Sequence, residues 1–202
     1  MLCIILASNN AHKLKEIKEI LSTYPIEVKT PKELNINAPE AIEDGKTYAE
    51  NALIKAKNIA KLTSFPVIAD DSGLEITAMD NKPGIYSARY AESLGGHKNA
   101  FKEIWNNIKD KEDRSAKFVC NIALCNFEKE PLIFKGEVKG QISLVDRGVS
   151  GFGYDPIFIP DGYDKSFAEL SEQEKNHISH RARALENMAK YILNYSDVIC
   201  DK

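Results

Sequence analysis

The feature that most constrains the fold is the segment Ala69-Asp70-Asp71-Ser72-Gly73, which directly follows the apolar run Pro66-Val67-Ile68. The run predicts a buried strand, and two adjacent carboxylates at the end of such a strand are costly to desolvate unless a cation compensates them. Mg²⁺ is the usual compensating ion, and it commonly brings a phosphate group with it. The alternative is a surface turn, because Asp, Ser and Gly are common turn residues. Phosphate-binding groups elsewhere in the chain favour the metal site.

The N-terminal segment predicts a strand, a polar loop and a helix. Residues 2–7 are a continuous apolar run, and the segment from Ala11 to Leu21 places its apolar residues on one helical face. The loop Ser8-Asn9-Asn10 between them contains favourable helix N-cap residues. A helix N-terminus offers free N–H groups and a partial positive charge to a phosphate, and Lys13 adds a cation one turn into the helix. The loop is therefore a candidate phosphate site, with a plain helix cap as the alternative.

Alternating helix and strand patterns along the rest of the chain predict an α/β fold. A linker containing Pro31 and Pro39 follows the first helix, and a capping box at Thr47 opens the second helix. The further predicted elements are strands at 74–79, 116–127, 132–144 and 156–159, a helix at 98–108, and a last helical segment that opens with a capping box at Ser171. We predict one domain over residues 1–196 and a C-terminal tail over residues 197–202.

The composition argues against two classes of partner. The chain has 202 residues, of which 43% are hydrophobic, so it is long enough to bury a core. Its formal net charge of −3 provides no basic excess for a nucleic-acid backbone, and no apolar run approaches the length of a membrane span. The cysteines lack metal-type spacing and the N-terminus lacks a basic signal-peptide segment, which favours a reduced cytoplasmic protein. We expect a small substrate carrying Mg²⁺, no nucleic acid and no membrane.

Three further clusters of residues suit the recognition of a nucleotide. Glu43 precedes the second predicted helix, where its carboxylate could reach a metal ion or merely favour the helix dipole. The loop Gly151-Phe152-Gly153-Tyr154-Asp155-Pro156 combines glycines with aromatic rings, which can stack on a base or plug the core. A cationic cluster near the last helix suits a phosphate or the edge of a base, and it consists of Lys175, His177, His180 and Arg181.

Six separated motifs follow one another along the chain: Ser8-x-Asn10-x-x-Lys13, Glu50-Asn51-Ala52-x-x-Lys55-Ala56, Ala69-Asp70-Asp71-Ser72-Gly73-Leu74, Pro83-Gly84-Ile85-Tyr86-Ser87-Ala88-Arg89, Gly151-Phe152-Gly153-Tyr154-Asp155-Pro156 and Ser179-His180-Arg181. Together they resemble the inosine triphosphate pyrophosphatase family, whose members remove non-standard purine nucleoside triphosphates. The resemblance extends from Ala7 to about Ile192 and is very specific. One departure is His12 with Asn9, where relatives more often carry small residues, and it concerns the backbone path of the phosphate loop.

The resemblance implies a fold, a reaction and an assembly. The implied fold is an elongated, two-lobed α/β domain with a long mixed sheet flanked by helices and a substrate cleft between the lobes. The implied reaction is hydrolysis of ITP, dITP or XTP to the monophosphate and pyrophosphate, with Mg²⁺ as cofactor and water attacking the α-phosphorus. The implied assembly is a homodimer.

The same resemblance assigns roles to individual residues. Asp71 resembles the catalytic carboxylate that orients or deprotonates the attacking water, and Ser72 lies beside the substrate. The carboxylates implied to surround Mg²⁺ are Glu43, Asp70 and Asp71. The residues implied to bind the triphosphate are Ser8, Asn9, Asn10 and Lys13. Those implied at the nucleoside end are Phe152, Gly153, Tyr154, Asp155, Lys175, His180 and Arg181.

Selectivity is expected at the six position of the purine. Inosine and xanthosine present a carbonyl there, whereas adenosine presents an amino group. Donors such as His180 and Arg181 would be satisfied by the carbonyl and left unpaired by the amino group. A buried unpaired donor costs about 1–3 kcal/mol, so two such donors would give roughly a hundredfold discrimination.

Two alternative functions stay open at this point. A pyrophosphatase of the septum-inhibition type would act on modified pyrimidine nucleotides, but its Ser-x-Ser-Pro-Arg-Arg start is absent here. A non-catalytic nucleotide-binding regulator would share the fold, and four residues present in the sequence argue against it: Lys13, Glu43, Asp70 and Asp71.

Overall fold

A computed structural model of the chain describes the backbone of residues 1–200 and the side chains of residues 1–195. In this part of the chain the strands are β1 (Leu2–Leu6), β2 (Ile26–Lys29), β3 (Val67–Ile76), β4 (Lys82–Pro83), β5 (Ser115–Cys125), β6 (Leu132–Ile142) and β7 (Phe158–Pro160). The helices are α1 (Ala11–Leu21), α2 (Tyr48–Ala60), α3 (Ser87–Ser93), α4 (His97–Ile108), α5 (Glu172–Ile178) and α6 (His180–Cys200). Among the described residues, no helix has both the length and the apolar character needed to cross a membrane.

The strands pair in one mixed sheet in the order β2-β1-β3-β5-β6-β7, and β4 pairs with the end of β3. β1 is parallel to both β2 and β3, with Leu2 opposite Ile26 and Ile5 opposite Val67. Parallel neighbours need crossover connections, which contain α1 and α2 here. β6 and β7 are antiparallel. The predicted α/β fold with a mixed sheet flanked by helices is confirmed.

The chain folds into two compact units. The terminal unit comprises Met1–Asp71, Cys120–Gly136 and the chain from Arg181 onward, and the central unit comprises Ser72–Val119 and Glu137–His180. β3, β5 and β6 each pass from one unit into the other. Three of the four boundaries between the units therefore lie inside strands, and the fourth lies between the first two residues of α6, so no linker segment separates the units along the chain.

In the terminal unit, β1 is buried on both of its faces. Ile4 and Leu6 pack with apolar residues of α1, β5 and α6, whereas Ile5 and Ala7 pack with apolar residues of α2. Successive side chains of a strand point to opposite faces of its sheet, which explains this partition. Because helices cover both faces, the sequence of this strand is a continuous apolar run and does not alternate.

The core of the central unit forms around the second half of β3 and helix α4. Leu74 and Ile76 of β3 pack with Phe101 and Ile104 of α4, and Phe158 of β7 joins the same cluster. The buried residues of α4 follow the helical period that predicted this element, and its observed start differs from the prediction by one residue.

β3 is one continuous ten-residue strand, which corrects the prediction of two strands separated at Asp70 and Asp71. Asp70 is 2% exposed and Asp71 is 8% exposed, so neither lies in a surface turn. Ion pairs compensate their burial, as described below. The small residue Gly73 then lets the strand continue past the carbonyl of Gly84, because an added Cβ would lie 2.1 Å from that oxygen.

Other differences concern short elements and the C-terminal region. β2 lies in the segment predicted as a linker, and α3 was not predicted. The last helical segment is two helices, because the backbone at Ser179 is extended between α5 and α6. α6 continues to Cys200, so the predicted tail from residue 197 is helical up to that point, and residues 201–202 lie outside the described residues.

Candidate active site

Asp70 lies at the centre of a buried ion-pair cluster in the terminal unit. The ammonium group of Lys13 in α1 lies 2.9 Å from Asp70 Oδ2. The guanidinium of Arg181 in α6 donates to the same oxygen from Nη2 at 3.0 Å and to Glu16 Oε2 from Nη1 at 2.7 Å. Arg181 is 1% exposed, so two carboxylates share one buried cation.

The charge state of Asp70 follows from these neighbours. Burial alone would raise the pKa of Asp70, but Lys13 and Arg181 outweigh burial and hold the pKa well below its usual range. Asp70 is therefore ionised at neutral pH. Its second oxygen, Oδ1, is buried and accepts no hydrogen bond from the described residues. Because the carboxylate is ionised, Oδ1 can serve as a ligand for a metal cation.

Asp71 faces a different set of partners, because adjacent residues in a strand point to opposite faces. Its Oδ2 accepts a hydrogen bond from Asn51 Nδ2 at 3.3 Å, and its Oδ1 lies 3.5 Å from Lys55 Nζ. Lys55 also donates to Glu43 Oε2 at 2.8 Å. Asn51 and Lys55 are one turn apart on α2, so one helical face connects Asp71 and Glu43.

The pKa values of Asp71 and Lys55 are both raised, for different reasons. Burial raises the pKa of Asp71, with Asp70 and Glu43 adding to the rise and Lys55 and Lys13 opposing it. Burial would lower the pKa of Lys55, but the three carboxylates around it raise the pKa overall. The result is a charged lysine beside a carboxylate that is more basic than an exposed aspartate, which suits proton transfer.

The loop before α1 caps that helix. Asn10 Oδ1 accepts the N–H of Lys13 at 3.1 Å, and Ser8 Oγ accepts the N–H of Asn10 at 3.2 Å. The plain capping alternative is thus realised by Asn10. Asn9 and Asn10 are exposed at this helix N-terminus, where the remaining N–H groups suit an anion.

The carboxylates around Asp70 have the chemistry of a Mg²⁺ site. No three His, Cys, Asp or Glu side chains in the described part of the chain come close enough to form a ready-made metal site. Mg²⁺ is usually held by one or two carboxylates together with substrate phosphates, so a site that lacks a full protein cage is compatible with this ion. The unpartnered Asp70 Oδ1 and the carboxylates of Asp71 and Glu43 supply the hard oxygen ligands that Mg²⁺ prefers.

A second cluster lies in the central unit. Lys175 Nζ lies 2.7 Å from Asp155 Oδ2, and both side chains are buried. The same Asp155 oxygen accepts the N–H of Phe152 at 2.8 Å, and Lys175 Nζ lies 4.8 Å from the centre of the Phe152 ring. Gly151 allows this arrangement, because an added Cβ would lie 2.3 Å from Asp155 Oδ2. The structure thus brings together three of the residues predicted at the nucleoside end.

Comparison with known proteins identifies the family. The sequence profile of the Ham1 family matches residues 4–191. The chain belongs to the Ham1 family. It is 46% identical over 182 residues to the dITP/XTP pyrophosphatase of Desulfotalea psychrophila, with 90% of this chain and 81% of the relative covered. It is 43% identical over 195 residues to the dITP/XTP pyrophosphatase of Dictyoglomus thermophilum, with 95% of each covered. The structure of the Staphylococcus aureus Ham1 protein matches with a TM-score of 0.84 and 38% identity, over 96% of this chain and 99% of that one.

In this Ham1 family member, two of the residues predicted at the nucleoside end have side chains in the core of the central unit. Tyr154 is 3% exposed and its hydroxyl donates to the carbonyl of Ser87 at 2.8 Å, so the core-plugging alternative applies to this ring. The ring of His180 is buried and stacks on Phe118 at a centroid distance of 4.7 Å. Gly153 has a positive φ of 65°, a backbone conformation that favours glycine.

Arg181 of this Ham1 family member pairs with two carboxylates of the terminal unit, Asp70 and Glu16. The physical reason is that a buried arginine needs carboxylates to offset the loss of hydration. The role at the nucleoside end that the family resemblance implies for Arg181 stays a prediction. Ser72, predicted beside the substrate, directly follows Asp71 in β3 and is partly exposed.

Three functional candidates were missed in the sequence. Lys55 and Asn51 lie in the second family motif, and their spacing of four residues on a helix was the signal that they share a face. Glu16 lies three residues after Lys13 on α1, which puts both on one side of that helix. No local pattern identifies Arg181 as the partner of Glu16.

Proposed function

We propose that this member of the Ham1 family hydrolyses non-standard purine nucleoside triphosphates, such as dITP, ITP and XTP, to the monophosphate and pyrophosphate. Relatives named dITP/XTP pyrophosphatase that match over nearly the whole chain support this function. The observation that carries it is the pair Asp70 and Asp71, buried in β3 and flanked by the cations Lys13 and Lys55. This arrangement offers carboxylate oxygens to a metal ion and ammonium groups to a phosphate chain.

At the phosphate end, Asp71 is the proposed general base. Burial raises its pKa, which makes its carboxylate a better acceptor for a proton of the attacking water. Lys13 lies in the first turn of α1 and Lys55 lies about two turns into α2, and both can exchange a carboxylate partner for a phosphate oxygen. Mg²⁺ would take its protein ligands from the carboxylates Asp70, Asp71 and Glu43, one or two of them at a time, and would neutralise the phosphate oxygens and stabilise the leaving pyrophosphate. Ser8, Asn9 and Asn10 would donate to the phosphates at the N-terminus of α1.

At the nucleoside end, the buried pair Lys175 and Asp155 is the proposed reader of the base, with the Phe152 ring beside it. Lys175 can only donate hydrogen bonds, so a six-carbonyl satisfies it and an adenine amino group does not. An unpaired buried donor costs about 1–3 kcal/mol, which corresponds to roughly tenfold to hundredfold discrimination. We assign His180 to the support of this end through its stacking on Phe118.

Three further properties are proposed. A homodimer is proposed as the assembly on the resemblance to the family, and the absence of a nucleic-acid partner is proposed because the net charge of −3 provides no basic excess for its backbone. A cytoplasmic location is proposed because Cys3, Cys120 and Cys125 are free thiols, as a reducing compartment requires.

A turnover assay over a panel of nucleoside triphosphates tests the proposed function. The panel contains ITP, dITP, XTP, GTP, ATP and a modified pyrimidine triphosphate, and released pyrophosphate is measured separately from phosphate. We expect pyrophosphate release with ITP, dITP and XTP at higher kcat/KM than with ATP. Preference for the pyrimidine would favour the septum-inhibition type, and binding without turnover would favour a regulator.

A further inference from the structure

Asn51 is a buried polar residue whose contacts join two parts of the candidate site. It lies in the first half of α2 and is 1% exposed. Its Oδ1 accepts the N–H of Gly45 at 2.9 Å, and its Nδ2 donates to Asp71 Oδ2 at 3.3 Å. One carboxamide therefore connects the segment that carries Glu43 with the proposed catalytic carboxylate.

The orientation of the Asn51 carboxamide is determined by its partners. A backbone N–H can only donate, so the carboxamide oxygen must face Gly45. The NH₂ group must then face Asp71, which accepts when it is ionised. Aspartate at this position would lack the donor and leucine would lack both groups, so only asparagine makes both contacts at this side-chain length.

The segment around Gly45 packs directly on the carboxamide. A Cβ added at Gly45 would lie 2.7 Å from Asn51 Oδ1 and 3.0 Å from Asn51 N. Gly45 therefore lies directly against the Asn51 carboxamide, and a larger residue at position 45 would displace that side chain. The NH₂ group is consequently aimed at Asp71 by the backbone contact between Gly45 N–H and Asn51 Oδ1.

A second bridge runs parallel to the first, one turn further along α2. Lys55 contacts both Glu43 and Asp71, but its side chain is 17% exposed and positively charged, so an incoming phosphate competes for it. Asn51 is neutral and buried, and it has no such competitor. When Lys55 moves to a phosphate, the Asn51 bridge is the contact that continues to hold Asp71.

We propose that Asn51 is a positioning residue that fixes the direction of the Asp71 carboxylate relative to segment 43–45. This role rests on the proposed function, because the direction of Asp71 matters for the attack of water on the substrate. Asn51 acts through Asp71 and does not itself touch the substrate.

The decisive variant is Asn51→Asp, which keeps an oxygen acceptor for Gly45 and removes the donor to Asp71. We expect kcat for ITP to fall by about 10- to 100-fold, the scale of one hydrogen bond to a charged group, with KM changed less than about threefold. Thr47→Ala is the matched control for helix stability, because Thr47 caps the same helix without contacting Asp71. It should lower the melting temperature and leave kcat unchanged. Asn58→Asp controls for added negative charge on α2.

Three results with the Asn51→Asp variant would overturn the proposal: it retains more than half of the wild-type kcat, its loss of kcat is reproduced by Asn58→Asp, or it does not fold. The last would assign Asn51 to the stability of the fold alone. A wild-type chain without pyrophosphate release would reject the proposed function separately. A crystal structure of Asn51→Ala is the readout that needs no turnover. We expect Asp71 to adopt more than one rotamer there, and a single unchanged rotamer refutes the positioning role.

Discussion

Replacing Arg181 by methionine tests whether this residue supports the catalytic strand or reads the base. The variant leaves Asp70 and Glu16 buried without their shared cation. Removing one partner of a buried ion pair costs about 3–5 kcal/mol, which is a large part of the roughly 5–15 kcal/mol that stabilises a typical domain. Urea unfolding followed by circular dichroism at pH 7 measures this loss. Arg183→Met is the matched control, since Arg183 is exposed on the same helix and its loss should change stability by less than about 0.5 kcal/mol.

The loss should also depend on pH in a defined direction. Lys13 and Arg181 together lower the pKa of Asp70 below its unfolded value of about 4, against the effect of burial. The stability that this shift contributes is fully present above pH 4 and is lost as the pH falls through the folded pKa. The difference between wild type and Arg181→Met should therefore stay constant above about pH 4 and narrow as the pH is lowered below about 4.

Kinetics complete the Arg181 test. Because Arg181 contacts the carboxylate beside the proposed base, kcat/KM should fall by a similar factor for ITP, XTP and ATP. A loss of stability below about 1 kcal/mol at pH 7 would refute the ion-pair argument. A loss of activity confined to ITP and XTP would mean that Arg181 contacts the purine, as the family resemblance implied.

Changes at three other side chains separate catalysis, phosphate binding and base selectivity. Asp71→Asn should keep the melting temperature within a few degrees and lower kcat for ITP by about 10²-fold or more; retention of a tenth of the activity would remove Asp71 from its role as base. Lys13→Ala should raise KM about tenfold for every triphosphate. In the same kinetics the ITP to ATP ratio of kcat/KM should change less than about threefold, and a collapse of the ratio would assign Lys13 to the base. Lys175→Met should lower kcat/KM for ITP about tenfold with little change for ATP, measured in parallel steady-state assays; equal losses would indicate that Lys175 only supports Asp155.

Elements with local signals were predictable from the sequence. α1 has the predicted bounds because Asn10 caps it and its apolar residues repeat with the helical period. α2 begins directly after the Thr47 capping box, in which both hydrogen bonds form. β2 has only four residues, too few to establish a period, and α3 begins without a side-chain cap. Neither of these two elements carries a start signal that sequence reasoning can use.

The candidate site was predictable only where one segment carries its own chemistry. The adjacent carboxylates Asp70 and Asp71 are visible in the sequence, but their burial within a continuous strand depends on distant cations. Arg181 binds residues 111 and 165 positions away along the chain, and no spacing rule connects them. Asn51 lies 20 positions from Asp71, and its contact depends on how α2 packs against β3.

Gly73 has a consequence for the recognition of remote relatives. The atoms that an added Cβ would meet are the carbonyl oxygen of Gly84 at 2.1 Å and Ser87 Oγ at 2.8 Å, and the first belongs to the backbone. A backbone oxygen cannot rotate away as the end of a flexible side chain can, so glycine alone is compatible with this strand path. Glycine two positions after the second aspartate should therefore count in a search pattern as heavily as the aspartates. A chain with both aspartates and a larger residue at that position would need a different path for the strand. The two aspartates alone would therefore not assign such a chain to this fold.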